Sequence, residues 1–183
     1  MGKISEAIIS EVFKVLEAYD GEYEDQVLNL IAESEKIVCA GVGRVGLNAA
    51  GFAKRLRHMG KDAFFIQDQT LPRVGKRDLL LIVSGSGETK TLKLYAQIAR
   101  EQEVPIVLVT TSKHSPIAQM SDVVLQFDCP SEKSESLGFV STQPMTSLFE
   151  QASHLVLDHL VLRLMTTLDI GFEQMRGTHN ELE

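Results

Sequence analysis

Two short stretches of the chain concentrate the residue types that bind anions. Ser84-Gly85-Ser86-Gly87-Glu88-Thr89 follows the apolar run Leu79-Leu80-Leu81-Ile82-Val83 and precedes a helical pattern. Glycine lets the backbone turn tightly and approach a ligand, and the first free N–H groups of the next helix point at the same place. Three hydroxyls within six residues are more than a helix cap needs. The second stretch, Gly41-Val42-Gly43-Arg44-Val45-Gly46, also lies between an apolar run, Ile37-Val38-Cys39-Ala40, and a helical pattern. By itself it matches the G-x-G-x-x-G dinucleotide fingerprint. A dinucleotide would need a ribose-binding acid after the following strand, where Asp68 is the only candidate, and it would leave the serine-rich loop without a task. The P-loop pattern G-x-x-x-x-G-K-S/T is absent. Two donor-rich loops fit a small phosphorylated ligand better.

A base beside a sugar-phosphate site can be a carboxylate. Glu150, near the start of the last long helix, competes with Glu88 inside the serine loop, and composition does not choose between them. Glu88 also has a plain role, since an acid in a first helical turn complements the helix dipole. Of the five histidines, His159 stands seven residues after Ala152 on the apolar stripe and reads as a core residue. His114 and His154 read as surface residues, which leaves His58 and His179. No H-E-x-x-H or other metal-ligand spacing occurs, and Cys39 and Cys129 read as reduced structural thiols, so no metal is expected.

The elements that must carry these residues alternate. The spacing predicts helices over 3–19 and about 24–34, then strands at 36–40, 63–66, 79–83, 105–109 and 122–127. Between them fall helices from the first glycine loop to 59, over 88–102, and a short one at 115–120. The strands are apolar throughout, as in a parallel sheet covered on both faces, so the fold class is a three-layer α/β/α arrangement with five parallel strands. Ligands in such folds sit at the carboxyl ends of the strands, where both glycine loops lie. A polar surface loop is expected over 128–143. A last helix should run from Pro144 to about Thr167, with Met145, Leu148, Phe149, Ala152, Leu155 and Val156 as its stripe. The tail beyond Gly171 is polar enough to stay disordered unless something holds it. Ile9 and Phe13 lie outside the main stripe of the first helix, as if another subunit covered it.

A chain of 183 residues suits one domain: N-terminal helices over 1–34, an α/β core over 35–167, and a tail over 168–183. The formal net charge of −7 gives no general attraction to nucleic acid or to an anionic membrane. There is neither an eighteen-residue apolar stretch nor a signal-peptide core at the N-terminus, and the expectation is a cytosolic protein.

Together, Gly41-Val42-Gly43-Arg44 and Ser84-Gly85-Ser86-Gly87-Glu88-Thr89 in this order of elements resemble the sugar isomerase (SIS) domain. Within that family the chain is most similar to 6-phospho-3-hexuloisomerases. The likeness rests on Lys54-Arg55-Leu56-Arg57-His58-Met59-Gly60, on Ser141-Thr142-Gln143-Pro144-Met145-Thr146-Ser147-Leu148-Phe149-Glu150-Gln151, and on a terminal His179 followed by Leu182-Glu183. The resemblance implies a flavodoxin-like sheet, a homotetramer with sites near subunit boundaries, and interconversion of 3-hexulose 6-phosphate with fructose 6-phosphate without a cofactor. It also implies that Ser84, Ser86 and Thr89, with the backbone from Gly43 to Gly46, hold the phosphate. Arg44, Gly85, Gly87 and Gln143 complete the binding set. Glu150 would be the base, His179 the group that handles hydroxyl protons or opens the ring in a neighbouring subunit's site, and His58 the second candidate for that task. Two departures stand out: Val45 replaces a serine of the family's first loop, and Thr178 with Asn180-Glu181 replaces Arg and Ala-Asn in its tail. The alternatives are a sugar-phosphate sensor without catalysis, an isomerase of a different phosphosugar, and a dinucleotide-dependent oxidoreductase.

Overall fold

The apolar runs become five strands: β1 Lys36–Ala40, β2 Asp62–Phe65, β3 Leu79–Val83, β4 Ile106–Thr110 and β5 Val123–Gln126. All pair in parallel in the order β2-β1-β3-β4-β5. This computed structural model describes residues 2–131 and 133–179. β3 and β4 are buried at every position, as strands in the middle of a covered sheet must be, while the edge strands β2 and β5 are only partly covered.

Successive side chains of each strand point to opposite faces, which divides the core in two. On one face Ile37, Cys39, Leu79, Leu81, Val83, Val107 and Val109 meet residues of α1 Lys3–Ala18, α2 Glu24–Glu33, α3 Arg44–His58 and α5 Ser147–Thr167. On the other, Val38, Ala40, Leu80, Ile82, Ile106 and Leu108 meet Leu92, Ala96 and Ala99 of α4 Lys90–Glu101 and the 3-10 turn Ala118–Met120. The helices after β1 and β3 therefore leave toward opposite faces. Between the ends of these two neighbouring strands a crevice opens, the usual ligand position of such a sheet.

The expected order of elements holds, and the differences have local causes. α5 begins at Ser147 rather than Pro144, because Met145 adopts a left-handed backbone (φ 56°) and is 74% exposed instead of joining the stripe. Leu155, also expected in the stripe, is exposed. His159 is not a core residue: its side chain is 54% exposed, with Nε2 3.1 Å from Glu24 Oε2. The buried stripe of α5 runs through 152/153, 156/157, 160/161 and 164, so Ala152 and His159 share its edge, where a methyl is covered and an imidazole reaches out. His114 and His154 are exposed. The loop 128–143 is not purely a surface segment, since Ser141 and Gln143 are buried. Part of the tail forms α6 Phe172–Gly177, and the Thr178 hydroxyl donates to the His58 carbonyl. Asn180 to Glu183, with the tail departures Asn180-Glu181 and the ending Leu182-Glu183, lie outside the described residues. Among the described residues no helix is long and apolar enough to cross a membrane.

Candidate active site

In the first loop, backbone meets backbone. A Cβ on Gly41 would lie 2.9 Å from the Val45 carbonyl oxygen, and one on Gly46 would lie 3.0 Å from the Gly41 oxygen. Gly43 takes φ +66° with open space around it and places Arg44 at the start of α3. With no side-chain cap there, the first amides of α3 remain for a ligand.

The serine loop is braced by side chains instead. Ser84 Oγ accepts from Gly87 N (3.2 Å) and Ser86 Oγ from Glu88 N (3.2 Å). A hydroxyl that accepts in this way keeps its own hydrogen to donate. The Gly85 carbonyl takes bonds from the Thr110 and Thr111 hydroxyls, both 2.9 Å, and from Thr111 N. Gly87 turns with φ +62° over Ser115, whose Oγ would stand 2.0 Å from a Cβ. Glu88 lies before α4, outside the first turn where it would complement the dipole, and is exposed. Thr89 occupies the N-cap position, again without a side-chain cap bond. Ser84, Gly85, Ser86 and Thr89 line a cavity of about 180 Å³ with Val42, Val45, Thr146 and Phe149. That is room for a small anionic group rather than a whole cofactor.

Phe149 fixes α5 against this loop: its ring stacks on Phe127 and stands 3.2 Å from where a Gly85 Cβ would be. The next residue, Glu150, is therefore held beside both glycine loops. Its side chain is 13% exposed; Arg44 Nη1 lies 3.1 Å from Oε2, and the Thr146 hydroxyl donates to Oε1 at 3.0 Å. Asn48 of α3 donates to the Glu150 backbone carbonyl (2.6 Å) and to Ser153 Oγ, locking the two helices at this turn. Glu150, Arg44 and Asn48 open onto an adjoining groove of about 680 Å³, walled by Ile8, Ile9, Val12 and Phe13 of α1 with Leu47 and Leu155. The arrangement can hold an oxyanion at two helix N-termini and present a carboxylate to the atoms next to it.

The structure thus gathers Gly43, Arg44, Gly46, Ser84, Gly85, Ser86, Gly87, Thr89 and Glu150 at one end of the sheet. Gln143 lies beneath the surface, its amide donating to Glu11 Oε2 at 3.1 Å. The two histidines are elsewhere. His58 and His179 pack ring to ring, with centroids 5.1 Å apart, beside Arg55 and Arg176. Because Asn48 bonds the Glu150 carbonyl and His58 ends the same helix, about 15 Å of α3 separates the histidine pair from Glu150 within one chain. Asn48 and Ser115 carry no motif and escape a sequence reading, and Thr146, although inside the segment that carries the resemblance, has no role assigned by it. Glu11 escapes it too, since a glutamate in an acidic amphipathic helix looks like part of a solvated face.

Comparison with known proteins bears on the family and the fold. A Bacillus subtilis (strain 168) protein named 3-hexulose-6-phosphate isomerase is 36% identical over 177 residues, covering 96% of this chain and 95% of that one. A Methylomonas aminofaciens protein of the same name is 28% identical over the full length of both. The crystal structure of a hypothetical Methanococcus jannaschii protein, from which a function of 3-hexulose-6-phosphate isomerase has been inferred, superimposes with a TM-score of 0.84. It covers both chains fully at 22% identity, a likeness of fold. Both glycine loops and Glu150 fall within residues 30–155, which match the model of the SIS domain, and the chain belongs to the SIS domain family.

Proposed function

We propose that the protein is a sugar-phosphate isomerase that interconverts 3-hexulose 6-phosphate and fructose 6-phosphate. The observation that carries this reading is the carboxylate of Glu150 held between Thr146 and Arg44 at the edge of the donor-lined cavity. The phosphate sits on the serine loop and the α3 N-terminus, and the sugar extends into the groove that Glu150 faces. Glu150 takes the proton from the second carbon, beside the carbonyl of the third, to give a cis-enediol, and returns it to the third carbon. The hydroxyl proton passes from the second oxygen to the third. Because a carbon acid is far weaker than a carboxylic acid, the enediolate oxygen needs a positive partner as it forms. Arg44, with a side chain 67% exposed and able to move from Glu150 to the substrate, fills that role.

His179 is proposed to act in the site of a neighbouring copy, within a homotetramer. The distance between the histidine pair and Glu150 within one chain supports this, as do the exposed apolar residues Ile9, Phe13 and Leu47 around the groove. The test is a coupled assay that follows fructose 6-phosphate from 3-hexulose 6-phosphate. Glu150→Gln is expected to lower kcat by about 10²- to 10⁴-fold with KM nearly unchanged. Unaltered turnover in that variant would remove Glu150 as the base.

A further inference from the structure

Glu11 is 6% exposed although it belongs to a helix whose neighbouring residues mostly face outward. Its two oxygens receive four hydrogen bonds from three consecutive residues. Oε1 accepts from Thr142 N at 2.8 Å and from the Thr142 hydroxyl at 2.6 Å. Oε2 accepts from the Ser141 hydroxyl at 2.7 Å and from Gln143 Nε2 at 3.1 Å. Thr142 N and Gln143 Nε2 can only donate, one to each oxygen, and with both hydroxyls donating too an ionised carboxylate accepts all four bonds. Burial acts to raise the Glu11 pKa, but the bonds from Thr142, Ser141 and Gln143 outweigh it and leave the group below the usual carboxylate range.

A buried charge is a costly way to pack a helix, and an apolar side chain would hold α1 as well. What the carboxylate adds is a fixed register for 141–143. Only Pro144 and the left-handed Met145 separate this segment from Thr146, whose hydroxyl binds Glu150. On the other side of Glu11, Ile8 and Val12 form part of the wall of the groove that Glu150 faces.

We infer that Glu11 is a positioning residue: it ties the wall of the groove to the segment that leads into α5 and so sets where the Glu150 carboxylate stands. Gln143 then serves the site through Glu11. This role rests on Glu150 being the base of the isomerase.

The experiment compares kcat, KM and thermal unfolding for the full chain and its Glu11→Gln, Glu11→Asp and Thr142→Val variants. In Glu11→Gln an NH2 group replaces an acceptor and meets donors. Its kcat is expected to fall about 10- to 100-fold, as for a displaced catalytic group, with KM within about twofold because the phosphate loop is untouched. Glu11→Asp, which keeps the charge on a shorter arm, should recover part of that loss. Thr142→Val, which removes one of the four bonds, should lower kcat severalfold. A folded Glu11→Gln with wild-type kcat and only a lower Tm overturns the positioning role; should that variant not fold, a folded Thr142→Val with unchanged kcat overturns it equally. Absence of wild-type turnover removes the isomerase reading and this role together, whereas wild-type turnover with unaffected variants removes this role alone.

Discussion

The two glycine loops stand at the ends of neighbouring strands and precede helices of opposite faces, yet they are held by different means. The loop at 41–46 is shaped by backbone packed on backbone, with Gly41 against the Val45 carbonyl and Gly46 against Gly41. The loop at 84–89 is shaped by hydroxyls and rings: Ser84 and Ser86 bind its own amides, Thr110 and Thr111 hold its Gly85 carbonyl, and Ser115 and Phe149 fill the space beneath. Similar composition therefore hides two kinds of constraint. The first loop tolerates change wherever a side chain would point outward. The second is coupled by its own packing to β4 and to the turn after it, while both loops meet α5, the first through Arg44 and the second through Phe149.

Substitutions at the glycines would break or confirm this contrast. Gly87→Ala should have the largest effect, because it combines a left-handed backbone with a Cβ that collides with Ser115; a loss of about 3 kcal/mol or more in thermal or urea unfolding is expected. Adding Ser115→Gly should return the share due to the collision and leave the backbone cost. Gly41→Ala comes next, at about 1–3 kcal/mol, since the carbonyl it meets belongs to a helix start that cannot give way. Gly43→Ala should cost only backbone strain, about 1–3 kcal/mol, because nothing lies within 4 Å of its Cβ while φ 66° with ψ −140° is a conformation essentially confined to glycine. If Gly43→Ala proved as damaging as Gly87→Ala, the distinction between the loops would fail. Smallest is Val45→Ser, which restores to the cavity wall the hydroxyl found in the family's pattern. Tighter fructose 6-phosphate binding by about 0.5–1.5 kcal/mol is expected in calorimetry, with little change in Tm.

Much of the fold could be read from the sequence because the strands are runs of apolar residues between glycine-rich turns, and a central parallel strand admits little else. β1 and β3 fall on the residues expected, and the others within one position. The start of α5 could not be read so well, because a left-handed Met145 leaves no trace in residue type and Pro144 imitates a first helical residue. His159 misleads for a related reason: its spacing from Ala152 is right for a shared edge, and only the size of the side chain decides whether an edge is inside. In the site, the donors and Glu150 sit in recognisable local motifs. Asn48 and Glu11 gain their roles from partners that only the folded chain brings close.

The anchoring of α1 bears on how the protein is made. Nearly everything α1 holds belongs to the last third of the chain: Glu11 binds Ser141 to Gln143, Lys14 lies over the Phe139 ring, Tyr19 meets Phe127 edge-on, and the helix packs on α5. Glu11 emerges from the ribosome 130 residues ahead of Ser141, a delay on the order of ten seconds at ordinary rates of synthesis. Through that interval the nascent sheet can assemble while α1 waits with Val12, Val15 and Leu16 uncovered. α1 is made before the elements it docks on, and the wall it gives to the groove beside Glu150 cannot be complete until translation has passed α5.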